Sequence, residues 1–242
     1  MAALIKGTKI EDLPALVNYF EIQLRKLGVR VELKQEFTPE MARVLKPEVV
    51  VVAIGGQPAT PTIPGIDRRN VLTGRALTRK ATPYLRFLGP TLLGWITRFC
   101  LPLGKRIVVI GGLLQGCQMA AFLVTRGRRV TIVEASDQPG EGIPTAMKPR
   151  LLDWLADKGV AILTGAECRE ITHEGIIVRT KDGTVKSVIA DTVITALPFA
   201  SNPALAKALE GVVPEVYPIG DCSEPRSILH AIADGSRVGH SI

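Results

Sequence analysis

The stretch KRIVVIGGLLQGCQMAAFLVTRGRRVTIVE, residues 105–134, decides the fold. An apolar β-branched run at 107–110 enters Gly111-Gly112, helix-forming residues fill 114–126, and a second β-branched run at 130–134 ends on an acid. This strand–turn–helix–strand order predicts a Rossmann-type unit. Gly111 allows the tight turn and Gly116 lets the helix pass close to the strand. The free N–H groups at the helix start suit a pyrophosphate. The candidate phosphate contacts are therefore Gly111, Gly112, Leu113, Leu114, Gln115 and Gly116. Glu134 stands at the end of the second strand, where a carboxylate accepts from the ribose hydroxyls of NAD and repels a 2′-phosphate. Leu113 departs from G-x-G-x-x-G at its middle glycine, and its Cβ hinders close approach to the phosphates. NAD(H) binding is therefore expected to be weak. Arg126, Arg128 and Arg129 lie at or before the start of the second strand, about 17–20 Å from its acidic end. They read as solvated charges of the turn rather than as NADP ligands.

Working outward, residues 10–27 carry apolar positions at helical spacing, with Gly28 as C-cap. Alternation at 29–33 predicts a strand. Thr38-Pro39-Glu40 predicts a helix start, and the helix stops by Pro47. The run 49–54 reads as a strand buried on both faces, ended by Gly55-Gly56. Residues 76–104 form a connector with an amphipathic middle that includes Trp95 and Phe99. Past the decisive stretch, helix 145–158, strand 160–163, a β-hairpin with turns at Glu174-Gly175 and Asp182-Gly183, and strand 192–196 follow. The tail holds a strand near 216–219, a Gly220-Asp221 turn and helix 227–240.

Composition excludes several classes. The 242 residues carry 46% hydrophobic and 22% charged side chains, which excludes a disordered or collagen-like chain. Net charge is +7, but aromatics are only 5% and are not interleaved with basic runs, so no single-strand nucleic-acid platform is expected. Cys100, Cys117, Cys168 and Cys222 show no CxxC spacing, and His173, His230 and His240 no metal spacing. The apolar stretch 85–103 contains Arg86, Arg98, prolines and glycines, so no membrane span is expected. The N-terminus lacks a signal-peptide core, and a reducing, cytoplasmic setting is expected.

Four segments together carry a resemblance: VVVVAIGG (49–56), PTIPGID (61–67), residues 104–134, and YPIGDCSEPRSILHAI (217–232). The chain resembles the pyridine-nucleotide and flavin half of the Old Yellow Enzyme-like multidomain reductases, among them 2,4-dienoyl-CoA reductase, 2-enoate reductase and NADH:flavin oxidoreductases. The resemblance implies that the strand ending at Ala53, Ile54 and Gly55 passes an FAD site. It also implies that Asp221, after Gly220, reaches the ribityl chain, and that the helix opening at Ser227 and Ile228 points at the flavin. Gln118 replaces an acid usual after Gly-Cys in that family.

The resemblance further implies an α/β fold with Rossmann-like parallel sheets. Two nucleotide-binding-type domains are expected, one inserted in the other, plus a β-hairpin. Residues 1–75 and 201–242 would form a partial FAD-binding-type domain, 76–104 a linker, and 105–200 the NAD(P)-binding-type domain. No first strand–glycine loop–helix for FAD is recognised ahead of residue 10, and no iron–sulfur cysteines, so Met1 reads as the start of a fragment. The expected activity is hydride transfer from NADH to FAD, with electrons passed to an N-terminal flavin or iron–sulfur domain not contained in these residues. FAD itself is expected to be absent from the isolated chain. No catalytic side chain and no metal ligand is singled out. Two alternatives stay open: a non-catalytic nucleotide-binding or assembly module with degenerate sites, and a stand-alone NADH-dependent flavoprotein. Self-association is also left open.

Overall fold

The computed structural model describes residues 12–59, 61–73 and 103–242. Most of the connector, with Trp95, Phe99 and Cys100, and residues 1–11 lie outside the described residues. The chain divides into two units. The first comprises residues 1–37 and 75–101, and within it helix α1 spans Asp12–Lys26. Gly28 (φ 68°) ends α1 in a Schellman arrangement: the Val29 N–H donates to the Leu24 carbonyl at 3.0 Å and the Gly28 N–H to the Arg25 carbonyl at 3.2 Å. The alternation at 29–33 does not form a strand. Val29, Val31 and Leu33 are exposed, Lys34 turns the backbone at φ 61°, and no neighbouring strand pairs with the segment among the described residues. Alternation produces a strand only where a partner takes up the main-chain hydrogen bonds.

The second unit holds residues 38–74 and 102–242. Its elements are α2 (Pro39–Leu45), β1 (Val49–Val52), β2 (Gln57–Pro58), β3 (Val71–Thr73), β4 (Arg106–Ile110), α3 (Leu114–Val124), β5 (Arg129–Val133), α4 (Lys148–Asp157), β6 (Ala161–Leu163), β7 (Ala166–Ile171), β8 (Gly175–Thr180), β9 (Val185–Ile189), β10 (Thr192–Thr195), β11 (Phe199–Ala200), α5 (Ala204–Leu209), β12 (Glu215–Pro218) and α6 (Ile228–Ser241). At α2, Thr38 Oγ1 accepts from the Met41 N–H at 3.4 Å, which satisfies one orphan donor of the first turn.

The central sheet is parallel, in the order β3-β10-β4-β5-β6. It is covered on both faces, so β4 is apolar and buried after Arg106, and β10 is buried throughout, with Val193 and Ile194 between two threonines. On one face Val108, Ile110, Val133 and Val193 pack against Ile171, Ile176 and Val178 of an antiparallel sheet, β7-β8-β9. By strand alternation Ile107, Val109 and Ile132 turn to the other face, where α3 brings Cys117, Ala120 and Leu123. The fold is thus α/β with Rossmann-like parallel sheets, and the expected hairpin is extended to three strands.

β1 pairs with β12 in a separate two-stranded parallel sheet. The expectation that 49–54 is buried on both faces fails: the strand stops at Val52, and Val51 is 41% exposed. A two-stranded sheet covers little of its own surface. Sequence reading also passed over β3, which pairs with β10, and the two-residue pair β2–β11. Strands of two or three residues carry no periodic signal.

Leu123 is fully buried between α3 and the parallel sheet. Leu123→Ala should cost about 2–5 kcal/mol in urea unfolding, whereas Val185→Ala, on an exposed strand face, should stay within about 0.5 kcal/mol.

Candidate functional site

A cleft of about 560 Å³ opens at the carboxyl ends of β4, β5 and β10. Its walls include Gly111, Leu113, Glu134 and Ala135 from the strand ends, Leu197-Pro198 after β10, 166–169 of β7, and the 61–64 crossing. β4 leads to neighbours on either side, β5 and β10, which makes this the switch point of the sheet, where open α/β sheets bind ligands. The crossing is tied to the antiparallel sheet, because the Ile171 N–H donates to the Pro64 carbonyl at 2.8 Å.

The glycine turn is built by close approach. Gly111 adopts φ 103°, and a Cβ there would come within 2.6 Å of the Ala196 carbonyl oxygen. A Cβ on Gly116 would lie 1.8 Å from the Gly111 carbonyl oxygen, so only glycine lets α3 start this near β4. Leu113 is the N-cap, in extended conformation (φ −72°, ψ −173°), and offers no side-chain cap to the first turn of α3. The first-turn N–H groups of a helix have no partner inside it; here Leu114 donates to the Glu141 carbonyl at 2.9 Å. Of the turn residues named from sequence, Gly111 and Leu113 line the cleft. Gly112, Leu114, Gln115 and Gly116 build the turn behind them.

Glu134 is 6% exposed. One carboxylate oxygen accepts from the Gly112 N–H at 2.5 Å and the other from the Ser136 N–H at 2.8 Å. Each oxygen keeps a further lone pair, so the carboxylate can hold its loop and still accept from a ligand hydroxyl. Arg126 lies over the Phe122 ring, 3.6 Å from its centroid, at the far end of α3. Cys117 is buried and points its Sγ at the Gly112 carbonyl, 3.3 Å away. Burial, and then the nearby Glu134 charge, push this thiol up to about 11.

A second cluster forms where β1 and β12 end. The Ile219 N–H donates to the Val52 carbonyl at 3.0 Å, and Cys222 Sγ reaches the same oxygen at 2.9 Å. Ala53, Ile54 and Gly55 therefore leave β1 beside the turn at Gly220 and Asp221. Gly56 sits close enough that a Cβ would approach the Asp221 carbonyl to 3.2 Å. Asp221 Oδ1 accepts from the Arg226 N–H at 3.2 Å. Ser227 is the N-cap of α6, its Oγ 2.8 Å from His230 Nδ1, and Ile228 is exposed in the first turn. Sequence reading did not single out Asp234, a buried carboxylate behind this turn, or 166–169, and it quoted PTIPGID (61–67) only for the resemblance, without giving 61–64 a place in the cleft wall. Asp234 carries no local motif; its partners lie one helix turn or more away. Among the described residues no cluster of His, Cys, Asp or Glu could hold a metal ion, and no helix is long and apolar enough to cross a membrane.

The family model described as pyridine nucleotide-disulphide oxidoreductase matches residues 11–235. The chain belongs to this family. Among curated relatives, the cinnamate reductase of Clostridium sporogenes is 26% identical over 96% of the chain. The NADH oxidase of Thermoanaerobacter brockii is 27% identical over 93%. In both cases the match spans 32% of the relative, so the chain covers about a third of their length. A solved 2-naphthoyl-CoA reductase superposes over the whole chain with a TM-score of 0.80 at 28% identity, covering 34% of that enzyme. Histamine dehydrogenase from Rhizobium sp. 4-9, with a TM-score of 0.74 at 18% identity, shares the fold.

Two thiols of this family member, the buried Cys117 and the half-buried Cys168, set a pH signature. Cys117 and Cys168 are both raised from the usual value near 9 to about 11, chiefly by burial. Between these values the unfolded chain loses protons that the folded chain retains, so stability should fall as pH rises from about 9 to 11. Cys117→Ala should make that fall shallower in chemical denaturation measured across the range.

Proposed function

We propose that this chain is the nicotinamide- and flavin-binding region of a multidomain reductase of the Old Yellow Enzyme-like type. Its role is to bring NADH to FAD for hydride transfer, with electrons then leaving for a centre outside these residues. The observation that carries this reading is the switch-point cleft, in which a glycine turn and Glu134 meet at the carboxyl ends of the parallel strands. The relatives add support, since a cinnamate reductase and an NADH oxidase align over more than nine-tenths of the chain.

In this reading residues 105–200, with β3 as edge strand, form the nicotinamide-nucleotide domain. Residues 1–75 and 201–242 contribute a partial flavin domain, which lends β3 to the sheet edge, and 76–104 link the two. The missing side chains of Gly111 and Gly116 leave room for the turn to cradle phosphates, and Leu113, Gln115 and Gly116 present main-chain N–H groups at the start of α3, those of Gly112 and Leu114 being taken by Glu134 and Glu141. Glu134 accepts from the adenosine ribose. Asp221 takes the ribityl hydroxyls of FAD, flanked by Ala53, Ile54, Gly55 and Gly220, while the α6 N-terminus at Ser227 and Ile228 faces the flavin. The cofactors supply the hydride donor and acceptor, and the chain supplies position and electrostatics. Leu113, which projects into the cleft, favours the second reading, a binding or assembly module with a weakened nucleotide site.

Titration with both nucleotides tests the first reading. NADH should bind better than NADPH, because Glu134 repels a 2′-phosphate by up to a few kcal/mol at about 4 Å; a preference for NADPH would refute this role of Glu134. The NADH dissociation constant should be on the order of 0.1 mM or above, and Leu113→Gly should tighten it about tenfold, or about 1.4 kcal/mol, with an unchanged melting temperature. The purified chain should carry less than one FAD per molecule; a stoichiometric flavin absorption band would show that the residues present already hold the whole cofactor.

A further inference from the structure

Asp234 is 7% exposed, in the middle of α6, and is surrounded by donors. Its Oδ2 accepts from the Gly220 N–H at 3.2 Å and from the Arg226 guanidinium at 3.2 Å. Its Oδ1 accepts from Arg237 at 3.0 Å. Burial alone would push the carboxyl up, but the Gly220 N–H and the two arginines outweigh it and hold the group below the usual carboxylate range. Gly220 stands in the left-handed region at φ 61°, with Ala231 of α6 against it. The carboxylate therefore grips both flanks of Asp221. On one side it fixes Gly220, the residue before. On the other it fixes Arg226, whose main-chain N–H donates to Asp221 Oδ1.

We infer that Asp234 is the positioning residue that locks the Gly220–Asp221 turn, through Gly220 and Arg226, in the conformation that presents Asp221 to a flavin ribityl chain. This rests on the flavin reading of Asp221 given above. Glu224 also meets both flanks, through its N–H to the Gly220 carbonyl at 3.0 Å and a 3.5 Å ion pair with Arg226 Nε, but its side chain is exposed; Asp234 is the buried carboxylate that takes the Gly220 N–H. Asp234→Asn leaves a single neutral acceptor oxygen for three donors, the buried Gly220 N–H and the two guanidiniums, and removes the charge that strengthens these bonds, which loosens the turn without emptying the core.

The test uses the full chain and two readouts. Amide hydrogen exchange at Gly220 and Arg226 is measured for the wild type, Asp234→Asn and Arg226→Gln, with Val108–Ile110 as internal control. FAD affinity is measured by fluorescence quenching for the same proteins, for Asp221→Asn, and for the Asp221→Asn/Asp234→Asn pair. Asp234→Asn should speed exchange at both amides at least tenfold and leave the control strand unchanged. It should weaken FAD at least threefold, and the double variant should bind no more weakly than Asp221→Asn alone. Arg226→Gln alters an exposed side chain, so it carries the test should Asp234→Asn fail to fold; it should speed exchange at Arg226 and weaken FAD in the same direction. Unchanged exchange at Gly220 and Arg226 would overturn the proposal, as would FAD affinity that falls in Asp221→Asn but not in Asp234→Asn. FAD affinity indifferent to Asp221→Asn would overturn the flavin reading itself, while the exchange rates still decide whether the brace exists.

Discussion

Gly116 has no side chain to hold α3 away from β4, and the carboxyl end of the parallel sheet depends on the contact that follows. A methyl group there would meet the Gly111 carbonyl at 1.8 Å, so either the helix would lift or the turn would open. With α3 seated, Cys117, Ala120 and Leu123 close over the sheet, and the turn at Gly111–Leu113 is pressed to the rim of the cleft. Packing density thus dictates site geometry, because a close-packed interior cannot shift by a methyl group without moving its neighbours.

The two clusters repeat one device. Each has a parallel strand that runs into a glycine turn, and each turn is held by a buried carboxylate that accepts a glycine N–H: Glu134 from Gly112, and Asp234 from Gly220. The acids reach their turns by different routes. Glu134 arrives from the adjacent strand of the same sheet, whereas Asp234 arrives from a helix packed behind the turn. Charge-assisted bonds to backbone N–H groups are stronger than neutral ones, which suits turns that must keep unusual backbone conformations. Glu134 satisfies two main-chain donors with no cation bonded to it among the described residues, but Asp234 also takes two arginines.

A short path joins the clusters. Leu197 and Pro198 wall the cleft, and the chain then becomes β11, which pairs with β2 directly after Gly56. Gly56 in turn lies against both Ala200 and Asp221. The two turns therefore border the same stretch of main chain. The chain belongs to the pyridine nucleotide-disulphide oxidoreductase family and spans about a third of the length of the curated relatives it matches.

The sequence by itself determined the Rossmann-type unit, since its signals are local: β-branched runs, glycines at a turn, an apolar helix and an acid at a strand end all fall within 105–134. The α2 cap at Thr38 and the Schellman end at Gly28 were legible for the same reason. Partnership was not legible. Residues 29–33 alternate as a strand does yet have nothing to pair with among the described residues, while Val71–Thr73, too short to show a pattern, became the edge of the central sheet beside β10. Likewise Glu134 could be named from its place after β5, but not its bond to Gly112, and Asp234 was invisible beside its more conspicuous neighbours. Hydrogen bonds between residues distant along the chain exist only once the strands and α6 are packed, so tertiary structure alone decided which carboxylates hold the turns.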